Sequence, residues 1–463
     1  MESVIRLEIL EPRFQQLYAQ AQSEMKRLKV PGAALGVYYA GEEYTAGLGR
    51  TNIEHPLRVT PDTLFQVGSI TKTITGTILM RLVEQGQLDL DTPVRKILPK
   101  FKMSDPFVEK HVNTRHLLTH TGGWVGDYFD DFGNGDDALQ KMVKRIRKLP
   151  QITPLGGPWS YSNTGFNLAG RIIEVLTGKP YEQAAQELLF EPLGLEKTFF
   201  YPNDAILTHR FVTGHWKIGK RVKIARPWAV GRAANPIGGA LSTVRDLLKY
   251  ARFHMGDGTN EKGAPILRRE TLETMRTEQA DAGGRGKMGL TWFIRQAGGL
   301  TVYGHGGATR GQQAVLHFVP QENFAVTLLT NSQQGGILTD SMLKWVMEIY
   351  FETSMPSPQP IEKSKEELAE YAGRYELPLS AFDLVIGAGV LVKKDIPRGG
   401  FPTPHSPPAP PEPDVRLAFY DTDRLIGLDE PRKGALCEFL RDESGQVRFL
   451  RIGGRLHPKI SGN

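Results

Sequence analysis

Ser69 and Lys72 are two residues whose types and spacing could carry out chemistry. They lie three residues apart in the stretch FQVGSITKT (residues 65–73), directly before an apolar pattern typical of a helix. On a helix, this spacing places both side chains on one face, one turn apart. An amine so placed can take the proton of a serine hydroxyl and make it a nucleophile. The alternative is a capping serine beside a solvated lysine.

Two further segments could complete such a site. In the turn-rich segment around Tyr161 and Asn163, a tyrosine close to cations would lose its proton more easily and relay it to a leaving group. Asn163 offers both a donor and an acceptor to a substrate amide. At the end of a predicted strand, Gly306 and Gly307 follow His305 and would let a substrate approach closely, with the next backbone amide directed at an oxyanion.

In this order, the three segments resemble the serine β-lactamase and penicillin-binding-protein superfamily, in particular the branch of class C β-lactamases, D-aminopeptidases, D,D-peptidases and family VIII esterases. Further stretches support the resemblance, which spans about residues 12–353: HLLTHTGG (116–123), NPIGGALST (235–243) and LTN (329–331). A chance co-occurrence of all these motifs is improbable.

The resemblance implies a role for each matching residue. Ser69 would be the nucleophile that forms an acyl-enzyme, and Lys72 and Tyr161 would share proton transfer. Asn163 would orient the substrate amide and Lys72. The backbone amides of Ser69 and Ala308 would form the oxyanion hole.

One position departs from the penicillin-recognising members. They mostly carry Lys-Thr-Gly or Lys-Ser-Gly where this chain has His305-Gly306-Gly307. A histidine is only partly charged at neutral pH, so it is a poorer partner for a substrate carboxylate. Arg310 is a candidate to replace part of that charge, with a structural arginine as the alternative.

These residues predict a serine hydrolase that cleaves small amide, peptide or ester substrates through an acyl-enzyme. The resemblance adds D-amino-acid peptides as a substrate class. A β-lactamase or penicillin-binding protein is one alternative. A catalytically silent homologue that binds a ligand is another. We expect a small-molecule or short-peptide substrate, no cofactor, and self-association as a homo-oligomer.

Other kinds of site are disfavoured. His116 and His120 are four residues apart, but no glutamate follows His116 to complete a His-Glu-x-x-His zinc motif, so we expect no metal. A Gly-x-Ser-x-Gly elbow is absent, which argues against an α/β-hydrolase. The net charge of +6 is small for 463 residues, and no basic tail or zinc-finger spacing indicates nucleic-acid binding.

The periodicity predicts an α+β fold in which a helix-flanked antiparallel sheet, with one strand from Met288 to Arg295, packs beside a helical lobe. We expect a hydrolase domain over residues 1–355, with the helical lobe at about 67–286, then a linker at 356–364. Seven short predicted strands, the first from Tyr371 to Tyr375, indicate a small antiparallel barrel or sandwich over residues 365–463. The stretch YAGRY (371–375) resembles the lipocalin-like β-barrel domain that some members of the superfamily carry. Within it, residues 395–414 hold eight prolines and predict a loop that arches over a site, reaches another subunit or is inert.

The sequence also bears on location. Its first residues lack the apolar run of a secretory signal, and no stretch of about eighteen apolar residues predicts a spanning helix. The single cysteine, Cys437, cannot form an intramolecular disulfide. We therefore expect a cytoplasmic location by default and no transmembrane segment.

Overall fold

The computed structural model describes residues 11–208, 210–408 and 411–460. The N-terminal segment interpreted above and two residues of the proline-rich stretch, Ala409 and Pro410, lie outside these ranges. No helix within the described ranges is both long and apolar enough to cross a membrane.

In the sequence, most of the helices lie between the first and the last strands of the large sheet. In chain order they are α1 (Pro12–Leu28), α2 (Thr71–Glu84), α3 (Val94–Ile97), α4 (Pro106–His111), α5 (Thr114–Leu118), α6 (Ala138–Ile146), α7 (Asn163–Thr177), α8 (Tyr181–Ala185), α9 (Glu191–Leu193), α10 (Pro202–Leu207), α11 (Asn235–Gly238), α12 (Val244–Met255), α13 (Arg269–Arg276), α14 (Gly335–Tyr350) and α15 (Lys365–Tyr371).

The strands form one large sheet, two small two-stranded sheets and a barrel. They are β1 (Gly32–Tyr39), β2 (Glu42–Gly49), β3 (Phe65–Gln66), β4 (His215–Ile218), β5 (Arg221–Ile224), β6 (Leu241–Ser242), β7 (Ala280–Asp281), β8 (Lys287–Met288), β9 (Phe293–Ala297), β10 (Leu300–Thr309), β11 (Gln312–Val319), β12 (Phe324–Thr330), β13 (Gly373–Leu377), β14 (Ser380–Gly387), β15 (Val390–Ile396), β16 (Val415–Phe419), β17 (Arg424–Gly427), β18 (Leu436–Arg441), β19 (Val447–Ile452) and β20 (Arg455–Ile460).

The large sheet is antiparallel throughout, in the order β2-β1-β12-β11-β10-β9-β8-β7. Helices α1 and α14 cover one face, where Phe14 and Met342 are fully buried. The helical lobe covers the other face. Because both faces are covered, β1 and β12 are almost continuously apolar and buried. The predicted α+β class is confirmed.

Two strand predictions need correction in the large sheet. The sequence predicted one strand from Met288 to Arg295, but the chain leaves the sheet between β8 and β9, where Thr291 has a φ of 78°. Thr291 packs so closely on α2 that a Cβ at Gly76 would lie 2.4 Å from its Cγ2. In addition, the predicted helical lobe contains two small sheets that the sequence did not predict, β3–β6 and β4–β5.

The C-terminal barrel is closed by eight antiparallel strands, β13 to β20, which resolves the choice between barrel and sandwich. Its interior is filled by buried aromatic and aliphatic side chains such as Tyr375, Phe382 and Leu450. The sequence predicted seven of these strands and missed β20. It also placed Tyr371 at the start of a strand, whereas Tyr371 ends helix α15.

The barrel packs against the domain that contains the large sheet at several points. Its β19–β20 turn meets the segment before α7, where the Tyr161 N–H donates to the carbonyl of Gly454 at 2.9 Å. On another side, Arg27 of α1 forms an ion pair with Glu430 at 2.8 Å. The barrel therefore contributes directly to the surroundings of Tyr161.

Candidate active site

Ser69 lies in a 3₁₀ turn, Gly68–Ile70, that runs directly into α2. Its side chain is partly exposed, whereas Lys72, one turn later, is completely buried. Lys72 Nζ lies 3.1 Å from Ser69 Oγ and donates to the carbonyl oxygen of Ile237 at 2.6 Å. The spacing predicted from the sequence therefore brings the amine and the hydroxyl into hydrogen-bond contact, as proton transfer requires.

The electrostatic surroundings of Lys72 favour its neutral form. Burial lowers its pKa well below the ordinary value of 10.5, and the Arg455 guanidinium lowers the pKa further. Asp127 acts in the opposite direction but does not outweigh burial. An uncharged amine beside Ser69 can accept the hydroxyl proton.

The pKa of the Tyr161 phenol is raised, contrary to the prediction that nearby cations would make its proton easier to lose. Burial raises the pKa of its phenol to about 12, although the Ser69 hydroxyl, Arg455 and Arg285 all favour the ionised form. Lys72 Nζ lies 5.0 Å from the centre of the Tyr161 ring. At neutral pH, Tyr161 thus keeps its proton.

Asn163, the first residue of α7, is held by a carboxylate that sequence reasoning missed. Its Nδ2 donates to Asp127 Oδ1 at 2.5 Å. The other oxygen of Asp127 accepts from Arg455 Nε at 2.8 Å, and the Arg455 guanidinium also lies 4.8 Å from the centre of the Tyr161 ring. Arg455 begins β20, so one side of the site is built by the barrel.

His305 lies in β10 and is buried beside the rings of Tyr161 and Phe293. Burial, and then Lys72, lower its pKa to about 3, so it is uncharged at neutral pH. Its Nδ1–H donates to the carbonyl of Gly306 at 2.5 Å. His305 therefore does not supply the positive charge that a lysine would bring to this position.

The two expected oxyanion donors, the amides of Ser69 and Ala308, are brought together by glycines. A Cβ on Gly68, which has a φ of +53°, would lie 2.5 Å from Ala308 N, and a Cβ on Gly307 would lie 3.0 Å from Ser69 N. Only glycine allows the two backbones to approach this closely. Gly306 and Ala308 are exposed and lie beyond the part of β10 that pairs with β9.

Arg310 is used elsewhere. Its guanidinium donates to the carbonyls of Arg226 and Phe401 and stacks on Trp216. We therefore do not assign a substrate carboxylate to it. Phe401 belongs to the proline-rich loop, and its ring also packs edge-on against Phe129 at 4.7 Å. The loop thus spans from the β10–β11 turn to the segment next to Asp127, which favours the interpretation that it arches over the cleft.

Arg285 was also missed by sequence reasoning. It lies close to Tyr161 and His305, and its guanidinium stands 5.7 Å from the Phe293 ring. Burial, Arg295 and Arg455 lower its pKa to about 10, against the opposing influence of the Asp340 carboxylate, and within the described ranges it forms no direct ion pair. A cation in this setting would be stabilised by an anionic ligand.

The histidines of residues 116–123 have structural contacts. His120 stacks on Tyr161, with ring centres 4.3 Å apart, and its Nδ1 accepts from the Ser162 N–H at 2.9 Å. Burial lowers the pKa of His120 well below its ordinary value, so it is uncharged. His116 takes part in the N-cap of α5 through Asn113. His120 therefore supports the Tyr161 ring directly.

A serine contacted by a buried lysine, a nearby tyrosine and two converging backbone amides can perform acyl transfer, and this fold and site define a serine hydrolase. A protein-family model described as Beta-lactamase matches residues 17–343. The chain belongs to this family.

Three known proteins illustrate the range of relatives. "Penicillin-binding protein 4" of Amycolatopsis lactamdurans is 34% identical over 358 residues, which cover 75% of this chain and 93% of that protein. "Esterase EstB" of Burkholderia gladioli is 34% identical over 172 residues, 33% of this chain and 42% of that protein. The crystal structure of SurE with D-Leu superposes with a TM-score of 0.74 at 25% identity, covering 97% of this chain and 99% of that one.

Proposed function

We propose that the protein is an amidase or peptidase that acts through an acyl-enzyme on Ser69. The observation that carries the proposal is the 3.1 Å contact between Ser69 Oγ and the fully buried Nζ of Lys72. Lys72 accepts the hydroxyl proton while Ser69 Oγ bonds to the substrate carbonyl carbon. The resulting oxyanion accepts hydrogen bonds from the amides of Ser69 and Ala308.

The second half of the cycle releases the amine. Tyr161 donates its proton to the leaving nitrogen, the C–N bond breaks, and Tyr161 regains a proton from Lys72. Water then attacks the acyl-enzyme by the reverse proton path and releases the acid. The pKa of about 12 for Tyr161 supports its role as donor, because a phenol that keeps its proton can give it to an amine.

The edge of β10 supports a substrate with a peptide-like backbone. β10 pairs with β9 only from Leu300 to Gly304, and the next residues, His305 to Thr309, have no partner strand on that side in the described part of the chain. An extended substrate can add to such an edge through main-chain hydrogen bonds. A simple ester would not use these contacts.

Charge supports an anionic group on the substrate. His305 is uncharged, Arg310 is bound to carbonyls, and Arg455 is paired with Asp127, which leaves Arg285 as the cation beside Tyr161 without an ion-pair partner in the described ranges. We infer that Arg285 receives a carboxylate. The D-Leu in the SurE crystal supports D-residues as the substrate class.

The test is a panel of three chromogenic substrates: a p-nitrophenyl ester, a D-amino-acid p-nitroanilide and a cephalosporin. We expect turnover of the anilide and the ester to exceed that of the cephalosporin, and the Ser69→Ala variant to lose all activity and the acyl adduct seen by intact-protein mass spectrometry. Activity that survives in Ser69→Ala would show that Ser69 is not the nucleophile. A cephalosporin rate far above the others would establish a β-lactamase instead.

The absence of any turnover and of any acyl adduct would favour the silent, ligand-binding alternative.

Homo-oligomerisation is a separate part of the proposal. Multi-angle light scattering would show a mass that is a multiple of one chain, and a monomer would remove this part without affecting the catalytic one.

A further inference from the structure

The β19–β20 turn of the barrel is fixed to the catalytic segment by main-chain hydrogen bonds. The Tyr161 N–H donates to the carbonyl of Gly454, and the Leu456 N–H donates to Ser160 Oγ at 3.2 Å. These contacts lie on either side of Arg455 in the chain. The position of the Arg455 side chain is therefore tied to the backbone that carries Tyr161.

Arg455, Asp127 and Asn163 form a continuous hydrogen-bonded chain. Asp127 accepts from Arg455 through Oδ2 at 2.8 Å and from Asn163 through Oδ1 at 2.5 Å. The side chains of Arg455 and Asp127 are 30% and 20% exposed, so the ion pair is largely removed from water. An ionised carboxylate is an acceptor only, so it fixes which end of the Asn163 amide faces it.

This fixed orientation has a chemical consequence. With its NH₂ group directed at Asp127, Asn163 turns its Oδ1 away from the carboxylate, where the oxygen can accept a hydrogen bond. A flipped amide would place two oxygen acceptors against each other, which costs the hydrogen bond and adds repulsion. The carboxylate of Asp127 therefore sets the polarity that Asn163 presents to the cleft.

We propose that Arg455 and Asp127 are positioning residues, through which the barrel holds Asn163 with its Oδ1 toward the N–H of the substrate amide. This inference rests on the proposed acyl-enzyme function. Arg455 keeps Asp127 ionised in its buried position, and Asp127 holds Asn163. The barrel thereby takes part in amide recognition without touching the substrate.

The alternative is that Arg455 and Asp127 only join the two domains. The Arg27–Glu430 ion pair is a second ionic contact between the barrel and the hydrolase domain, with both side chains about half exposed. It lies away from Asp127 and Asn163, and so provides a matched control. Removing it breaks an interdomain ion pair but leaves the chain of hydrogen bonds to Asn163 intact.

Substrate choice separates positioning from a structural role. A D-amino-acid p-nitroanilide has an amide N–H for Asn163, whereas p-nitrophenyl acetate has none. For Asp127→Asn and Arg455→Ala we expect kcat/KM on the anilide to fall about 10²-fold, the effect of misplacing a catalytic group by about 1 Å. On the acetate, the loss is expected to stay below about tenfold, because the lost contact is one that only the amide makes.

The pH profile gives a second, independent readout. The groups that face Lys72 are Asp127, Arg455, Tyr161 and the uncharged His120 and His305. Arg455 lowers and Asp127 raises the pKa of Lys72. In the kcat/KM profile for p-nitrophenyl acetate, the acidic limb is therefore expected to move to higher pH in Arg455→Ala and to lower pH in Asp127→Asn.

The experiment uses the full chain, with folding checked by circular dichroism and thermal melting. Arg455→Lys keeps the charge and is expected to restore part of the anilide activity. If Arg455→Ala does not fold, Arg455→Lys takes its place in the comparison with the wild type. Glu430→Gln should keep the wild-type ratio of anilide to ester activity. Equal losses on both substrates with unmoved pH limbs, or the same ratio change in Glu430→Gln, would overturn the proposal.

Failure of this inference is distinguishable from failure of the proposed function. If Ser69→Ala is inactive while the Asp127 and Arg455 variants keep the wild-type substrate ratio and pH limbs, only the positioning role is lost. If Ser69→Ala remains active, the acyl-enzyme itself is wrong, and the substrate ratio no longer reports on Asn163.

Discussion

Gly307→Ala isolates the contribution of the oxyanion hole from that of the catalytic side chains. A Cβ at this position would lie 1.9 Å from Val67 O and 3.0 Å from Ser69 N. Neither neighbour is the end of a flexible side chain, since both atoms belong to the backbone around the nucleophile. The substitution must therefore push β10 and the Ser69 turn apart.

The size of the movement follows from these distances. To restore the 3.0 Å below which Cβ atoms are not found, the two backbones must separate by about 1.1 Å, the difference between 3.0 and 1.9 Å. A displacement of about 1 Å costs on the order of 10²-fold in rate, and loss of one oxyanion donor costs about 10²–10³-fold. The strain of overpacking itself costs about 1–3 kcal/mol of stability.

We therefore expect Gly307→Ala to fold but to lose about 10²–10³-fold in kcat on p-nitrophenyl acetate. This small ester limits direct obstruction by the new methyl group, so KM should change little. Gly306→Ala is the matched comparison, because its Cβ would be 3.7 Å from its nearest neighbour, Ala314 O. Its loss should stay below about tenfold. A folded Gly307→Ala within fivefold of wild type, or an equal loss in Gly306→Ala, would refute the reasoning.

Three further predictions concern the charges and the cover of the cleft. Lys72→Met should be inactive yet melt at a higher temperature at pH 7. Burial lowers the pKa of Lys72 in the folded chain, which costs stability at pH values below 10.5, so the gap in melting temperature should narrow as the pH rises toward 10.5. Arg285→Gln should raise KM about tenfold or more for a peptide with a free carboxylate, but not for its methyl ester, as steady-state kinetics would show. Phe401→Ala removes the ring by which the proline-rich loop packs on Phe129, so the loop should cover the cleft less closely. We therefore expect the kcat/KM of bulky anilides to increase relative to that of p-nitrophenyl acetate.

The parts of the site that could be predicted from sequence are those encoded locally. Ser69 and Lys72 share one helical turn, and the spacing alone sets their geometry. The glycines beside His305 mark a close backbone approach in the same way. The protonation states of the site residues could not be predicted from proximity to cations. Burial dominates the pKa of Tyr161, and no short sequence pattern reports burial of this degree.

The parts that were missed depend on contacts between distant residues. Arg455 and Asp127 are 328 positions apart, and neither stands in a recognisable motif. Strand β20 was overlooked because Pro458 interrupts its pattern, although proline is tolerated at the edge of a ladder. The signal that could have revealed it is Gly453-Gly454, a two-residue hairpin turn directly after a correctly predicted strand.

The missed strand changes the way in which the two domains are understood. Asp127 is mostly buried, and the desolvation of a carboxylate in such a place favours its neutral form. Its pKa is nevertheless held below the ordinary value, since Arg455 supplies the largest opposing influence, ahead of Asn163 and Lys72. The ionisation that orients Asn163 and acts on Lys72 therefore depends on a residue of the barrel. If the proposed positioning role holds, the catalytic unit extends from Ser69 to β20 and includes part of the barrel.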